Sequence, residues 1–273
     1  MSGAITPKFR GQRFFLPTDI SDCILWLDAM DPAAVTNGSS TWKDKSKNKY
    51  IGKNGAGSFS IVSQNNLSYY TGEDIYIDNF TMRNTFTYFL VGEITDGYFY
   101  GDGSAGIYTY FNVNHGSGPG TEYDPTITFS TASWRIIRFF GMYTLGETYN
   151  YGNTSTPGGN FFIFAIGFNF TSKITPFQIN GYKRSTYSGE FTSLQGRLSS
   201  IRDGYRTKRL SFFVEDLFPR GSGHSQKYCE CLIFDRSLSE EETQRVEGYL
   251  AAKWNLQKRL PSTHSFKNLK PLY

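Results

Sequence analysis

The sequence predicts an all-β fold, an antiparallel β-sandwich closed by one short C-terminal α-helix. Three observations lead there. Aromatic residues make up 17% of 273 residues, with 24 Phe and 19 Tyr, and such side chains favour strands and fill large apolar cores. Short apolar or alternating runs are broken by Asn-Gly, Asp-Gly and Gly-rich stretches, the punctuation of strands and turns. Only one stretch carries a strong helix signal, and it lies near the C-terminus. A chain of this length suits one large sandwich.

Residues 1–21 form a polar, basic arm. It reads either as a segment wrapping the sandwich or as a device that docks on a partner subunit, with Phe14 and Phe15 as anchors. Residues 23–27 (CILWL) are the first core strand, Asn37-Gly38 is a turn, and Trp42 returns to the core. Residues 45–49 read as a solvated basic loop. Residues 58–63 and 74–78 alternate as strands do, and 85–91 is a dense β run. Asp96-Gly97 turns a hairpin into 98–100, Asp102-Gly103 marks another turn, and 107–113 is the next strand. After the loop 114–124 come strands at 127–129 and 134–140, then the long polar loop 144–159. Residues 161–170 (FFIFAIGFNF) are the most apolar run and are expected at the centre of a sheet. Residues 177–179, the Asn180-Gly181 turn and 182–191 make a hairpin. Residues 194–222 are unusually basic and hold one strand at 211–214.

Residues 229–234 (CECLIF) then read as a buried strand in which only Glu230 is charged. Ser239 stands three residues before Glu242, the spacing of a capping box, and Glu240 to Glu242 suit the positive end of a helix dipole. Val246, Tyr249, Leu250, Lys253 and Trp254 follow at helical spacing, and Asn255 is placed to end the helix.

Two strings carry a resemblance. One is F-D-R-x-L-S-x-x-E followed by V-E-x-Y-L-x-x-K-W-x-L, from Phe234 to Leu256. The other is Leu25 to Pro32 (LWLDAMDP) with Thr41 to Ser46 (TWKDKS). Together they resemble the closing and opening signatures of the concanavalin A-like lectin/glucanase superfamily, the LamG-like jelly-roll domain. Lys47 departs from the pattern, standing where many members carry Gly. The resemblance implies a jelly-roll sandwich over residues 22–256, leaving 1–21 as an arm and 257–273 as a basic tail. If the arms attach the protein to a partner, deleting residues 1–20 or 257–273 is expected to leave a folded sandwich that no longer assembles.

The net charge of +4 is modest for this length and does not argue for nucleic acid. No secretory signal is visible, and no apolar run approaches the length of a membrane span. Cys229 and Cys231 are expected on opposite faces of one strand and so unpaired. The resemblance brings Cys23 near one of them, yet buried free thiols are the preferred reading of all three.

Catalytic chemistry finds little footing. Glucanases of the resembled fold carry E-x-D-x-x-E on one strand, and the nearest match, Glu73 to Asp78, has the wrong order. Its Asp74 and Asp78 share a face but read as strand-end residues. His115, His224 and His264 are isolated. No cofactor is implied. Calcium is the ion the resemblance suggests, with Asp96, Asp102, Glu122 and Asp124 as candidate ligands. A glycan would need aromatic platforms beside amides and carboxylates, which Tyr149, Asn150, Tyr151 and Asn153 offer, as do Tyr98 and Asp102. Arg197, Arg202, Arg206, Lys208 and Arg209 form the candidate partner-binding cluster beside the Phe14–Phe15 pair.

By elimination the chain reads as a non-catalytic structural or binding protein. It resembles the stand-alone LamG-like proteins of large DNA viruses and phages. That implies a virion component, a minor capsid or surface protein made in the cytoplasm, contacting other structural proteins and possibly glycans. A free lectin is the alternative, and a glycoside hydrolase the weaker one.

Overall fold

The computed structural model describes residues 15–54, 57–64, 66–71, 75–81, 85–93, 106–112, 126–130, 136–140, 149–150, 161–169, 175–187, 209–212 and 227–269. Among them are two antiparallel sheets and one α-helix, the all-β architecture expected. The first sheet runs β4 (Ile61–Gln64), β5 (Leu67–Thr71), β16 (Lys227–Phe234), β7 (Thr85–Glu93), β12 (Phe162–Asn169), β13 (Thr175–Ile179) and β14 (Tyr182–Tyr187). Strand β1 (Cys23–Asp28) also pairs with β16. The second sheet runs β2 (Thr41–Lys43), β3 (Ile51–Asn54), β6 (Ile75–Asp78), β15 (Arg209–Phe212), β8 (Gly106–Asn112), β9 (Thr126–Ser130), β10 (Ile136–Phe140) and β11 (Tyr149–Asn150).

The first sheet is buried on both faces. Its inner face meets the second sheet through Leu25, Leu27, Phe86, Tyr88, Leu90, Phe164 and Ile233, against Trp42, Ile75, Ile77 and Leu210. Its outer face carries Trp26, Phe89, Val91, Ile163, Leu232 and Phe234, which pack under the helix α1 (Glu240–Lys253). Two-sided burial explains why β1, β12 and β16 read as continuous apolar runs rather than alternating ones. Residues 161–170 were expected at a sheet centre, and β12 lies between β7 and β13.

Local chemistry sets the turns and the helix. Asn180 and Gly181 both have positive φ, 49° and 75°, as a two-residue hairpin between β13 and β14 requires. At α1, the Ser239 hydroxyl accepts from the Glu242 amide at 3.2 Å while the Glu242 carboxylate accepts from the Ser239 amide at 2.9 Å. The helix ends at Trp254, and Asn255 follows in the left-handed region with φ 57°. That turn lets the Leu256 amide reach back to the Ala251 carbonyl at 2.8 Å.

Several expectations need correction. The run 58–63 forms a strand only at Ile61–Gln64, with Phe59 buried ahead of it. Strands β3 and β5 were not foreseen, because Gly52 dilutes IGKN and two polar residues dilute LSYYT. Cys229 and Cys231 do face different cores, but period two alone would put them on the same face. The register between β16 and β7 shifts between Tyr228 and Glu230, and this bulge turns Cys229 to the helix side, where Glu230 already lies by alternation with Leu232 and Phe234. Cys23, Cys229 and Cys231 are buried free thiols, and burial pushes Cys23 up to about 12.

Both terminal segments fold onto α1. Phe15 stacks edge-on against Tyr249 at 6.1 Å, and Ile20 is buried. At the other end Leu260 and His264 are buried, and His264 meets the carboxylate of Glu247 at 3.2 Å. Residues 15–21 and 257–269 are therefore packed against the helix rather than held apart from the sandwich. No helix among the described residues is long and apolar enough to cross a membrane.

Three outcomes are expected here. Ser239→Ala should cost about 1 kcal/mol in chemical denaturation. Gly248→Ala should loosen residues 260–269, because its Cβ would lie 2.4 Å from Phe266 Cβ and 2.7 Å from the Phe266 carbonyl oxygen; faster amide exchange there is the readout. The Arg236 guanidinium, at 2.6 Å, holds the Glu242 carboxyl down to about 2 from an ordinary 4.5. A depressed acid stabilises the fold above its unfolded value and loses that contribution as pH falls through the folded one. Glu242→Gln should therefore destabilise at neutral pH, and the difference from wild type should shrink from 4.5 down towards 2.

Candidate functional site

The segments that carry the resemblance meet at one place. Glu230, on the helix side of β16 with Leu232 and Phe234, receives the indole N–H of Trp26 at 2.6 Å and that of Trp254 at 2.7 Å. The Tyr249 hydroxyl donates to it at 3.0 Å and the Lys253 ammonium lies at 2.8 Å. Three of these four donors cannot accept a hydrogen bond, so a protonated carboxyl would have little to donate to. Burial pushes Glu230 above its ordinary value, and Lys253 opposes it. Burial alone would lower Lys253, but Glu230 and Asp28 outweigh it and hold the ammonium above the usual lysine range.

Lys253 also contacts Asp28 at 2.7 Å, and Lys45 reaches the same Asp28 oxygen at 2.8 Å. Lys45 goes on to Asp31 at 2.8 Å and lies 4.3 Å above the Trp26 ring. Beside it, Asp44 accepts the backbone amides of Trp26, Ser46 and Tyr50 at 2.8, 2.7 and 3.1 Å. Asp28, Asp44, Glu230 and Lys253 are all buried. This is a structural lattice: its carboxylates are saturated with donors and closed to substrate.

Above the lattice a groove of about 410 Å³ opens between the turn after β1 and the β2–β3 connection. Asp31, Lys43, Lys45, Lys49, Tyr50 and Ile51 line it. The Lys43 amide donates to the Ala34 carbonyl at 2.9 Å and the Asp44 amide to the Tyr50 carbonyl at 3.0 Å, which fixes both walls. The Tyr50 ring leans on Phe80 at 5.1 Å. Lys43 and Lys49 are exposed, and Ile51 is 42% exposed. Lys47 stands where the resembled pattern has Gly, yet it is Lys49 that takes the left-handed conformation, with φ 55°. Lys47 is therefore not in a conformation that calls for glycine.

The sequence-based candidates fall mostly elsewhere. Tyr149 and Asn150 form β11 at the edge of the second sheet, paired with Ile137 and Ile136. Tyr151, Asn153, Tyr98 and Asp102 lie outside the described residues, as do Asp96, Glu122 and Asp124. Among the described residues no three His, Cys, Asp or Glu side chains converge as a cation requires. Arg197, Arg202, Arg206, Lys208 and Phe14 are also outside. Arg209 sits within β15, in register with Asp78 on one side and Asn112 on the other. Phe15 contacts Tyr249 and lies 5.9 Å from the Arg245 guanidinium, both on the chain's own helix. Asp78, half of the weak carboxylate pair, bonds Lys53 at 3.1 Å, and Asp74 is outside the described residues. The groove was missed because 45–49 read as plain solvated loop. Its signal was the KDKSKNK string, with lysine at every second position from Lys43 to Lys49.

No family model and no curated protein matches the sequence. Solved structures do match by fold. The ligand-binding domain of botulinum neurotoxin serotype D, in complex with N-acetylneuraminic acid, aligns with TM-score 0.53 at 12% identity, covering 83% of this chain and 50% of that one. The binding domain of serotype G aligns with TM-score 0.51 at 11% identity over 85% and 52%. Trypanosoma rangeli sialidase with 2,3-difluorosialic acid aligns with TM-score 0.53 at 11% identity over 84% and 33%. The chain thus spans a third to a half of these neighbours, and the likeness is one of fold.

Removing the shared cation should be costly. Lys253→Met leaves Asp28 and Glu230 buried with less compensation, and urea denaturation should show a loss of about 3–5 kcal/mol. Lys53→Met, which breaks the exposed pair with Asp78, should cost less than about 1 kcal/mol.

Proposed function

We propose that this protein is a non-catalytic, glycan-contacting β-sandwich that serves on the surface of a virion. The observation that carries the non-catalytic part is the state of the carboxylates. Asp28, Asp44 and Glu230 are buried beneath saturating donors, while the groove above them is open and rimmed by lysines. A retaining or inverting hydrolase needs two carboxyl groups facing one bond. The groove offers Asp31 and Asp44, and both are engaged, Asp31 by Lys45 and Asp44 by three backbone amides.

The glycan part is supported by neighbours of the same fold, one of them in complex with N-acetylneuraminic acid, and by the size of the groove. A volume of about 410 Å³ suits a small ligand. The virion part is supported by the LamG-like opening and closing strings. In that role the protein is made in the cytoplasm and held on the particle by other structural proteins.

A glycan array on full-length protein, with calcium and with a chelator, tests the binding reading. Sugar-specific signal in both conditions is expected. Signal only with calcium would move the site to Asp96, Asp102, Glu122 and Asp124. A blank array would leave an assembly protein without a sugar ligand. Antibody against the sandwich should label intact particles; staining confined to the cytoplasm of producing cells would remove the virion role.

A further inference from the structure

We propose that the groove beside β2 binds an acidic oligosaccharide through its carboxylate or sulfate group, with Lys43 and Lys49 as the partners of the anion. The proposal rests on the glycan-binding reading and supplies its ligand class.

Charge makes the first argument. Lys45 is committed to Asp28, Asp31 and the Trp26 ring. Asp31 shares that one ammonium with Asp28 and also accepts the Ala33 amide at 2.9 Å. Lys43 and Lys49 are left exposed on the groove, with no carboxylate at ion-pair distance among the described residues. Three lysines line the groove against the carboxylates of Asp31 and Asp44. Asp44 is buried under backbone amides, so the charges exposed on the open face are Lys43 and Lys49, and the exposed Lys47 adds to the local field.

Placement makes the second. Lys49 occupies a left-handed position that Gly or Asn adopts more readily. Its ammonium lies 3.4 Å from the Lys45 carbonyl, which draws it back over the loop. The Tyr50 ring and the exposed Ile51 supply an apolar wall beside these cations. A neutral sugar would use the wall and leave the lysines solvated. An acidic sugar uses both, since its ring face meets Tyr50 and Ile51 while its anion meets the lysines.

The test is titration calorimetry with a sialylated oligosaccharide, a sulfated one, their neutral parent and inorganic sulfate. Wild type, the double variant Lys43→Glu/Lys49→Glu and the control Lys258→Glu are compared. Lys258 is exposed and lies outside the groove. At least one acidic oligosaccharide should bind wild type and the control alike, at least tenfold more tightly than the neutral parent. The double variant should lose that advantage, and added salt should weaken wild-type binding. Equal acidic-glycan affinity in the double variant overturns this site while leaving the glycan reading intact. Sulfate binding as tightly as the acidic oligosaccharide would also overturn the assignment, reducing the groove to a general anion trap. No glycan binding by wild type removes both readings together.

Discussion

The Glu230 carboxylate is the constraint on which the rest of the arrangement depends. It sits on the middle of a sheet, under a helix, with essentially no access to water. A buried charge of this kind is tolerated only where donors and a countercharge surround it. Here Trp26 comes from β1, Tyr249, Lys253 and Trp254 come from α1 and the residue capping it, and Asp28 shares the same lysine. The helix can therefore dock on the sheet in one rotation and one register. An apolar contact alone would leave that choice looser, so specificity is the sensible role for the lattice.

Alternation along β16 puts Glu230 on the helix side with Leu232 and Phe234, away from the inner core of Leu25, Leu90 and Ile233. The bulge at Cys229 turns that thiol to the same side, so Cys229 and Cys231 face different cores. The first sheet is thus largely apolar on both faces and still presents Asp28 and Glu230 to the helix lysine. The second sheet needs no such arrangement, since β2, β3 and β6 alternate buried residues with more exposed ones.

Much of this was legible in the residues. The capping box, the apolar helix face, the Asn180-Gly181 hairpin and the central place of 161–170 all follow from short-range patterns with one physical reading. What was not legible depends on partners far away in the chain. A lone Glu230 in CECLIF does not say that residues 204 and 24 positions distant will donate to it. Strand β3, with a glycine and two polar side chains in four residues, forms because β2 and β6 flank it. The terminal segments looked like appendages because they lie beyond the matching strings. Yet Ile20, Leu260 and His264 complete the cover of α1.

The groove shows the same limit from the other side. Lysine at every second position in KDKSKNK reads as a solvated face, and for Lys47 that is what the fold delivers. Lys45 leaves the pattern, because Asp28, Asp31 and the Trp26 ring together draw it inward. Its departure engages Asp31 at the groove and leaves Lys43 and Lys49 facing solvent beside Tyr50 and Ile51. The lattice that fixes the helix thus also sets the charge of the surface above it. The carboxylates of the lattice are spent on the fold, and the exposed charges beside it belong to the lysines those carboxylates do not reach.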